Sequence, residues 1–184
     1  QQLEQLRALI HAVRPANTFY ETKLAAARID DSIGSLEDFA ARCPFTTKDE
    51  LVADQSAHAP YGSNLTFPVE QFTRIHQTSG TTGQPLRWLD TPESWQAMLE
   101  SWKTVYRAAG VTPTDRALFA FSFGPFIGFW MAYEAAAQMG CLCFPGGGLT
   151  SATRLRILLE NEVTLLCCTP TYALRLAEVA KLEG

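Results

Sequence analysis

Thr78-Ser79-Gly80-Thr81-Thr82-Gly83-Gln84-Pro85 decides how this chain is read. Four hydroxyl side chains and two glycines in eight residues make a poor core segment. Glycine lets the backbone turn with positive φ and approach a ligand closely. Successive backbone N–H groups can then converge on oxyanions, while Ser and Thr hydroxyls add donors without charge. Thr78, Ser79, Gly80, Thr81, Thr82 and Gly83 are therefore candidate phosphate-binding residues, and a nucleoside triphosphate is the simplest ligand. The spacing is not G-x-x-x-x-G-K-[ST]: Gln84 and Pro85 follow Gly83, and the nearest downstream cation is Arg87. By composition alone, an ordinary glycine-rich turn is an equal reading.

The flanks shift that balance. Gln71 to Gln77 carries β-branched and aromatic residues suited to a strand, and Leu86 to Asp90 can return as a second. Upstream, Leu3, Leu6, Leu9, Ile10 and Val13 recur at helical spacing before Pro15. Further helices are predicted at Thr18–Arg28, Leu36–Arg42 and Thr47–Ala53, then a loop over 54–70. Residues 1–70 thus read as a helical lead-in, with too few large apolar side chains to stand alone. Residues 71–184 read as an α/β portion, the two together forming one incomplete domain.

Downstream of the loop the clearest helix has Thr91 as cap, Pro92 in the first turn and Gly110 at its exit. Trp95, Met98, Leu99, Trp102, Val105, Tyr106 and Ala109 form one apolar stripe along it. Strands are expected at Arg116–Phe121, Cys141–Phe144 and Val163–Cys168. Helices alternate with them at Gly128–Met139, Ser151–Asn161 and Thr171–Lys181. Apolar strands separated by helices imply an α/β fold with a largely parallel sheet covered on both faces.

Bulk composition excludes some classes. Fifteen basic against 19 acidic residues give a net charge of −4 and no cationic cluster for nucleic acid. The longest apolar run, 117–131, is broken by Ser122, Gly124, Pro125 and Gly128, so no membrane span is expected. Cys43, Cys141, Cys143, Cys167 and Cys168, without a secretory leader, predict reduced thiols and a cytoplasmic location. No Cys-x-x-Cys pair or matched histidine spacing marks a metal site, and buried, inert thiols are expected.

Four segments in order carry a family resemblance. Arg74-Ile75-His76 leading into Ser79-Gly80-Thr81-Thr82-Gly83 resembles the approach to the phosphate loop in adenylate-forming enzymes, in particular the phenylacetate–CoA ligase branch of the acyl-CoA synthetases. Pro44-Phe45-Thr46-Thr47-Lys48 is similar to a segment near that branch's N-terminus. Ala109 to Asp115 resembles the turn before a core strand, and Leu166 to Leu174 a strand-to-helix junction near the acyl pocket. The resemblance spans residues 30 to 183.

The resemblance implies a two-step reaction. A small carboxylic acid attacks the α-phosphate of MgATP, giving an acyl-adenylate and pyrophosphate. The thiol of CoA then attacks the carbonyl, giving a thioester and AMP. ATP, Mg²⁺ and CoA are thus the implied cofactors and co-substrates, and the loop residues map onto the cradle for the β- and γ-phosphates. Phe123, Gly124, Phe126 and Ile127, with Thr169, Pro170 and Tyr172, map near the acyl pocket, as expected for an aromatic or apolar acid. Plain core packing is an equal reading for the phenylalanines, and helix capping or scaffolding for Tyr172. A satisfied strand histidine is the reading preferred for His76, and a structural turn for Gly146-Gly147-Gly148.

Two departures stand out. Many relatives place a lysine just after the loop's proline, where this chain has Leu86-Arg87; Arg87 either substitutes or lies on an exposed strand. The branch often has a tyrosine–glycine pair where Ser122-Phe123 stands, which weakens the case for phenylacetate itself. The family's later motifs, for adenine, Mg²⁺, ribose and the C-terminal lysine, have no counterpart before Gly184. The expectation is the front part of an N-terminal domain, without catalytic residues and inactive by itself. A non-CoA adenylyltransferase and a non-catalytic nucleotide-binding or assembly module stay open, as does a homodimer.

Overall fold

The computed structural model describes residues 1–78 and 83–183, in two compact units, Gln1–Thr91 and Pro92–Gly184. The first unit begins with helices α1 (Gln2–Val13), α2 (Thr18–Ala26), α3 (Leu36–Arg42) and α4 (Lys48–Ala57). Side chains of Asn17, Ser35 and Thr47 cap the last three by accepting from Tyr20, Asp38 and Glu50 backbone N–H groups. Glu50 returns the bond to Thr47 N at 2.7 Å, completing a capping box. Helix α4 runs four residues beyond the expected Ala53, because no backbone breaker occurs before Pro60. Ile10, Leu24, Ile29 and Ile33 form a small core for this unit, with Leu3, Leu6, Val13 and Phe39 packed around it. Strands β1 (Arg74–Gln77) and β2 (Arg87–Asp90) then pair antiparallel, from Arg74↔Asp90 to Gln77↔Arg87.

The second unit alternates helices and strands as α5 (Pro92–Ala108), β3 (Arg116–Phe119), α6 (Ile127–Gln138), β4 (Leu142–Pro145), α7 (Ser151–Glu160), β5 (Leu165–Cys167) and α8 (Pro170–Glu183). Its sheet has the order β4-β3-β5 and is parallel throughout. Helix α5 starts at Pro92 and ends in a left-handed Gly110 at φ +78°. Gly110 N donates to Arg107 O at 3.0 Å and Val111 N to Tyr106 O at 2.9 Å, the paired bonds of a Schellman exit. Trp95, Leu99 and Tyr106 of the predicted stripe are buried, whereas Val105 stands at its exposed edge.

Two of the three strands are shorter than expected, and β4 keeps its length but is shifted by one residue. Val163 N donates to Leu158 O and closes the end of α7, so β5 cannot begin there. Cys141 N donates to Ala136 O at the exit of α6, and β4 starts at Leu142 instead. Cys141 is buried, Leu142 exposed and Cys143 half-buried, the alternation of side chains along a strand.

Ala117, Leu118 and Phe119 are fully buried, which makes β3 the centre of the core. The turn after β4 passes close over this strand. Gly146 N donates to Phe119 O at 2.9 Å, and a Cβ at Gly146 would lie 2.7 Å from that carbonyl oxygen. Backbone cannot yield as a flexible side chain can. Gly146→Ala is therefore expected to destabilise the full-length protein by about 1–3 kcal/mol, read as a lower urea midpoint.

Candidate functional site

The candidate phosphate-loop residues, 78–83, lie between β1 and β2 in sequence. Ser79, Gly80, Thr81 and Thr82 lie outside the described residues; Thr78 and Gly83 are described. Thr78 closes the base: its N–H donates to Leu86 O, and its Oγ1 accepts from Leu86 N, both at 3.0 Å. The two bonds fix where the chain leaves and re-enters the ribbon. Gly83 is exposed at φ +148°, with no described residue within 4 Å of where a Cβ would stand. That backbone region is essentially reserved for glycine.

The exit strand is anchored from the side. The buried amide of Gln55, on α4, donates to Arg87 O at 2.7 Å and accepts from Arg87 N at 3.0 Å. The Arg87 guanidinium bonds Pro60 O at 2.6 Å, engaging the cation nearest the loop with a backbone carbonyl. Beside this exit is a cavity of about 250 Å³, lined by Val52, Gln55, Gln84, Pro85, Leu86 and Arg87. His76 is 4% exposed, and its Nδ1 lies 3.5 Å from an Asp90 carboxylate oxygen.

In the second unit the predicted acyl-pocket residues form two groups at the carboxyl end of the sheet. Phe123, Gly124, Phe126 and Ile127 follow β3. Phe123 packs against Trp130 and Tyr133, with ring centres 4.9 and 5.4 Å away. Phe126, 37% exposed, meets Phe129 edge-on at 5.9 Å. Gly124 turns at φ +42° and its carbonyl accepts the Trp130 indole N–H at 2.8 Å. Phe123 and Ile127 pack against the core, whereas Phe126 presents a partly open ring. Thr169, Pro170 and Tyr172 follow β5. Thr169 Oγ1 accepts from Tyr172 N at 3.3 Å, and Pro170 occupies the first position of α8.

The glycine turn after β4 links the two groups. A Cβ at Gly147 would meet Phe121 O and the Phe123 ring, each at 3.4 Å. The Gly146 carbonyl accepts from Arg154 Nε at 2.9 Å, and the Arg154 guanidinium lies 4.9 Å from the centre of the Tyr172 ring. Tyr172 OH is 2.9 Å from Ser151 Oγ. Arg154 was not anticipated from sequence. The signal was available: Arg154 shares a helical face with Ser151, Leu155 and Leu158, a charge placed on an inward stripe.

Burial favours the protonated form of three thiols in the second unit. Burial pushes Cys143 up to about 11, and burial likewise raises Cys141 and Cys167. Tyr106, held up by burial, donates to Ala132 O at 2.8 Å and lies 3.4 Å from Cys167 Sγ. Among the described residues no group of three or more His, Cys, Asp or Glu side chains converges on a metal position. No described helix is long and apolar enough to cross a membrane.

No protein-family model matches the chain. Individual relatives do. The chain is 30% identical over its whole length to a phenylacetate–coenzyme A ligase of Pseudomonas putida, and 30% identical to that of Thermus thermophilus. It spans about 40% of the length of these curated relatives. Among solved structures, it matches an open form of 2-hydroxyisobutyryl-CoA ligase bound to 2-HIB-AMP and CoA, with TM-score 0.91 and 30% identity, covering 99% of this chain and 43% of that one. The thioesterification state of that ligase, also with 2-HIB-AMP and CoA, gives TM-score 0.92 and 31% identity over 98% of this chain and 39% of that one. The chain is thus homologous to the phenylacetate–coenzyme A ligases and corresponds to an N-terminal portion of an adenylate-forming enzyme of that kind.

Proposed function

We propose that this chain is the phosphate-loop portion of an ATP-dependent carboxylate–CoA ligase acting on an aromatic or apolar acid. The observation that supports the reading is the correspondence of 98% of this chain with 39% of a ligase that holds 2-HIB-AMP and CoA. The acid carboxylate attacks the α-phosphate of ATP, and pyrophosphate leaves. The CoA thiol then attacks the acyl carbonyl, and AMP leaves with the bonding electron pair.

Both steps move charge between oxygens, so preset donors lower the barrier. Residues 78–83 would supply such donors to the β- and γ-phosphates, with Thr78 and Leu86 fixing the base from which they project. Mg²⁺ would arrive with the nucleotide and offset phosphate charge. Phe123, Gly124, Phe126, Ile127, Thr169, Pro170 and Tyr172 would shape the acyl pocket, with Phe126 and Tyr172 as aromatic walls.

A panel of carboxylic acids tested by acid-dependent ATP–pyrophosphate exchange in the full-length protein decides the matter. Exchange with aromatic acids, followed by AMP release that requires CoA, is expected. Exchange that proceeds to product without CoA would assign a different acceptor, and no exchange with any acid would overturn the ligase reading.

A further inference from the structure

Among the described residues of the second unit, Arg154 is the one buried charged side chain, only 8% exposed. It stands in the first turns of α7, which Thr150 caps by accepting from Thr153 N at 3.2 Å. No carboxylate pairs with it among the described residues. Its surroundings are a carbonyl at Nε and the face of the Tyr172 ring. The carbonyl and the ring face offset part of the cost of burying the cation, and a guanidinium carries five N–H donors, of which the Gly146 bond engages one.

The place is equally specific. Gly146 follows the carboxyl end of β4, and Tyr172 follows that of β5, where open α/β sheets receive ligands. The N-terminal turn of α7 adds partial positive charge to the same spot. Arginine also differs here from a neutral peg. A hydrogen bond to Gly146 needs one donor, whereas the planar fork suits a two-oxygen anion.

We propose that Arg154, framed by Gly146, Ser151 and Tyr172, binds an oxyanion, carboxylate or phosphate, of a small molecule held at the carboxyl edge of the sheet. The identity of that molecule rests on the ligase reading: the source is either the acid's carboxylate or a phosphate of its nucleotide partner.

Calorimetric titration of the full-length protein, without turnover, separates the sources. Two matched pairs serve as probes: phenylacetate against phenylacetamide, and AMP against adenosine. In one pair the wild type is expected to prefer the anion. Arg154→Gln should weaken that anion about tenfold or more and leave its neutral partner unchanged. Arg154→Lys, which keeps the charge but not the fork, should fall between, and it carries the test if Arg154→Gln does not fold. The pair that responds names the source.

The proposal is overturned if both pairs keep their wild-type preference in the variants, or if anion and neutral probe weaken together, as they would around a merely structural peg. Pyrophosphate exchange by the wild type is measured alongside. Exchange with unchanged preferences removes the role of Arg154 alone. An Arg154-dependent preference without exchange removes the ligase reading alone.

Discussion

Gly83→Val in the full-length protein is expected to lower acid-dependent pyrophosphate exchange by about 100-fold or more. Its thermal midpoint should fall by only a few degrees (~2–8 °C). The separation follows from two features of Gly83. Among the described residues nothing lies within 4 Å of a Cβ at that position, so a side chain there displaces no described neighbour at its first carbon. Yet φ +148° is a conformation that a β-branched residue does not adopt without a cost of about 1–3 kcal/mol. The backbone at residue 83 must therefore shift, and it is exposed enough to do so without opening the core. What shifts with it is the aim of nearby donors, and preset aim is what a phosphate cradle contributes to catalysis. Unchanged exchange would remove residues 78–83 from the phosphate site. A collapse in folding would make Gly83 a scaffold residue instead.

Phe119→Ala should give the largest loss of stability, about 3–5 kcal/mol. Phe119 is fully buried on the central strand, with Tyr133 edge-on at 5.1 Å and Phe121 at 6.0 Å. Strands lie on both sides of it, so the surroundings cannot collapse into the space left behind. Phe119→Leu keeps most of the volume and should cost under about 2 kcal/mol. Urea unfolding of both variants checks the ranking. A cost below about 1 kcal/mol for the alanine variant would contradict the placement of β3 at the core's centre.

Features set by neighbours in sequence were legible. Pro92 and Gly110 bound α5 because their own backbones dictate it. The alternation of apolar strands with helices yielded the parallel sheet. Strand ends were less legible, since Val163 and Cys141 have strand-like side chains while their N–H groups serve helix exits.

Long-range polar contacts were not legible at all. Nothing near Asn17 in sequence shows that its amide reaches Asn64 O at 2.7 Å while its oxygen caps α2. The direction of Arg87 was undecided between a ligand and solvent, and it turns instead to a carbonyl 27 residues earlier. For the candidate site, the loop and the aromatic segment stood out by composition. The bond joining Arg154 to the glycine turn depends on two elements meeting, and periodicity in one helix signals only that a charge points inward.

The Gln55 amide has a consequence for how the ribbon comes to exist. A carboxamide that gives and takes one hydrogen bond with the same residue copies a peptide group, so Gln55 acts as a one-residue third strand beside β2. An isolated two-stranded hairpin is marginal in water. The alignment of β1 with β2 is thus completed by a residue belonging to neither. Because α4 precedes the ribbon along the chain, this template is already synthesised when β2 emerges. The order of translation therefore leaves a helix able to hold the ribbon's register in place before the second strand is made.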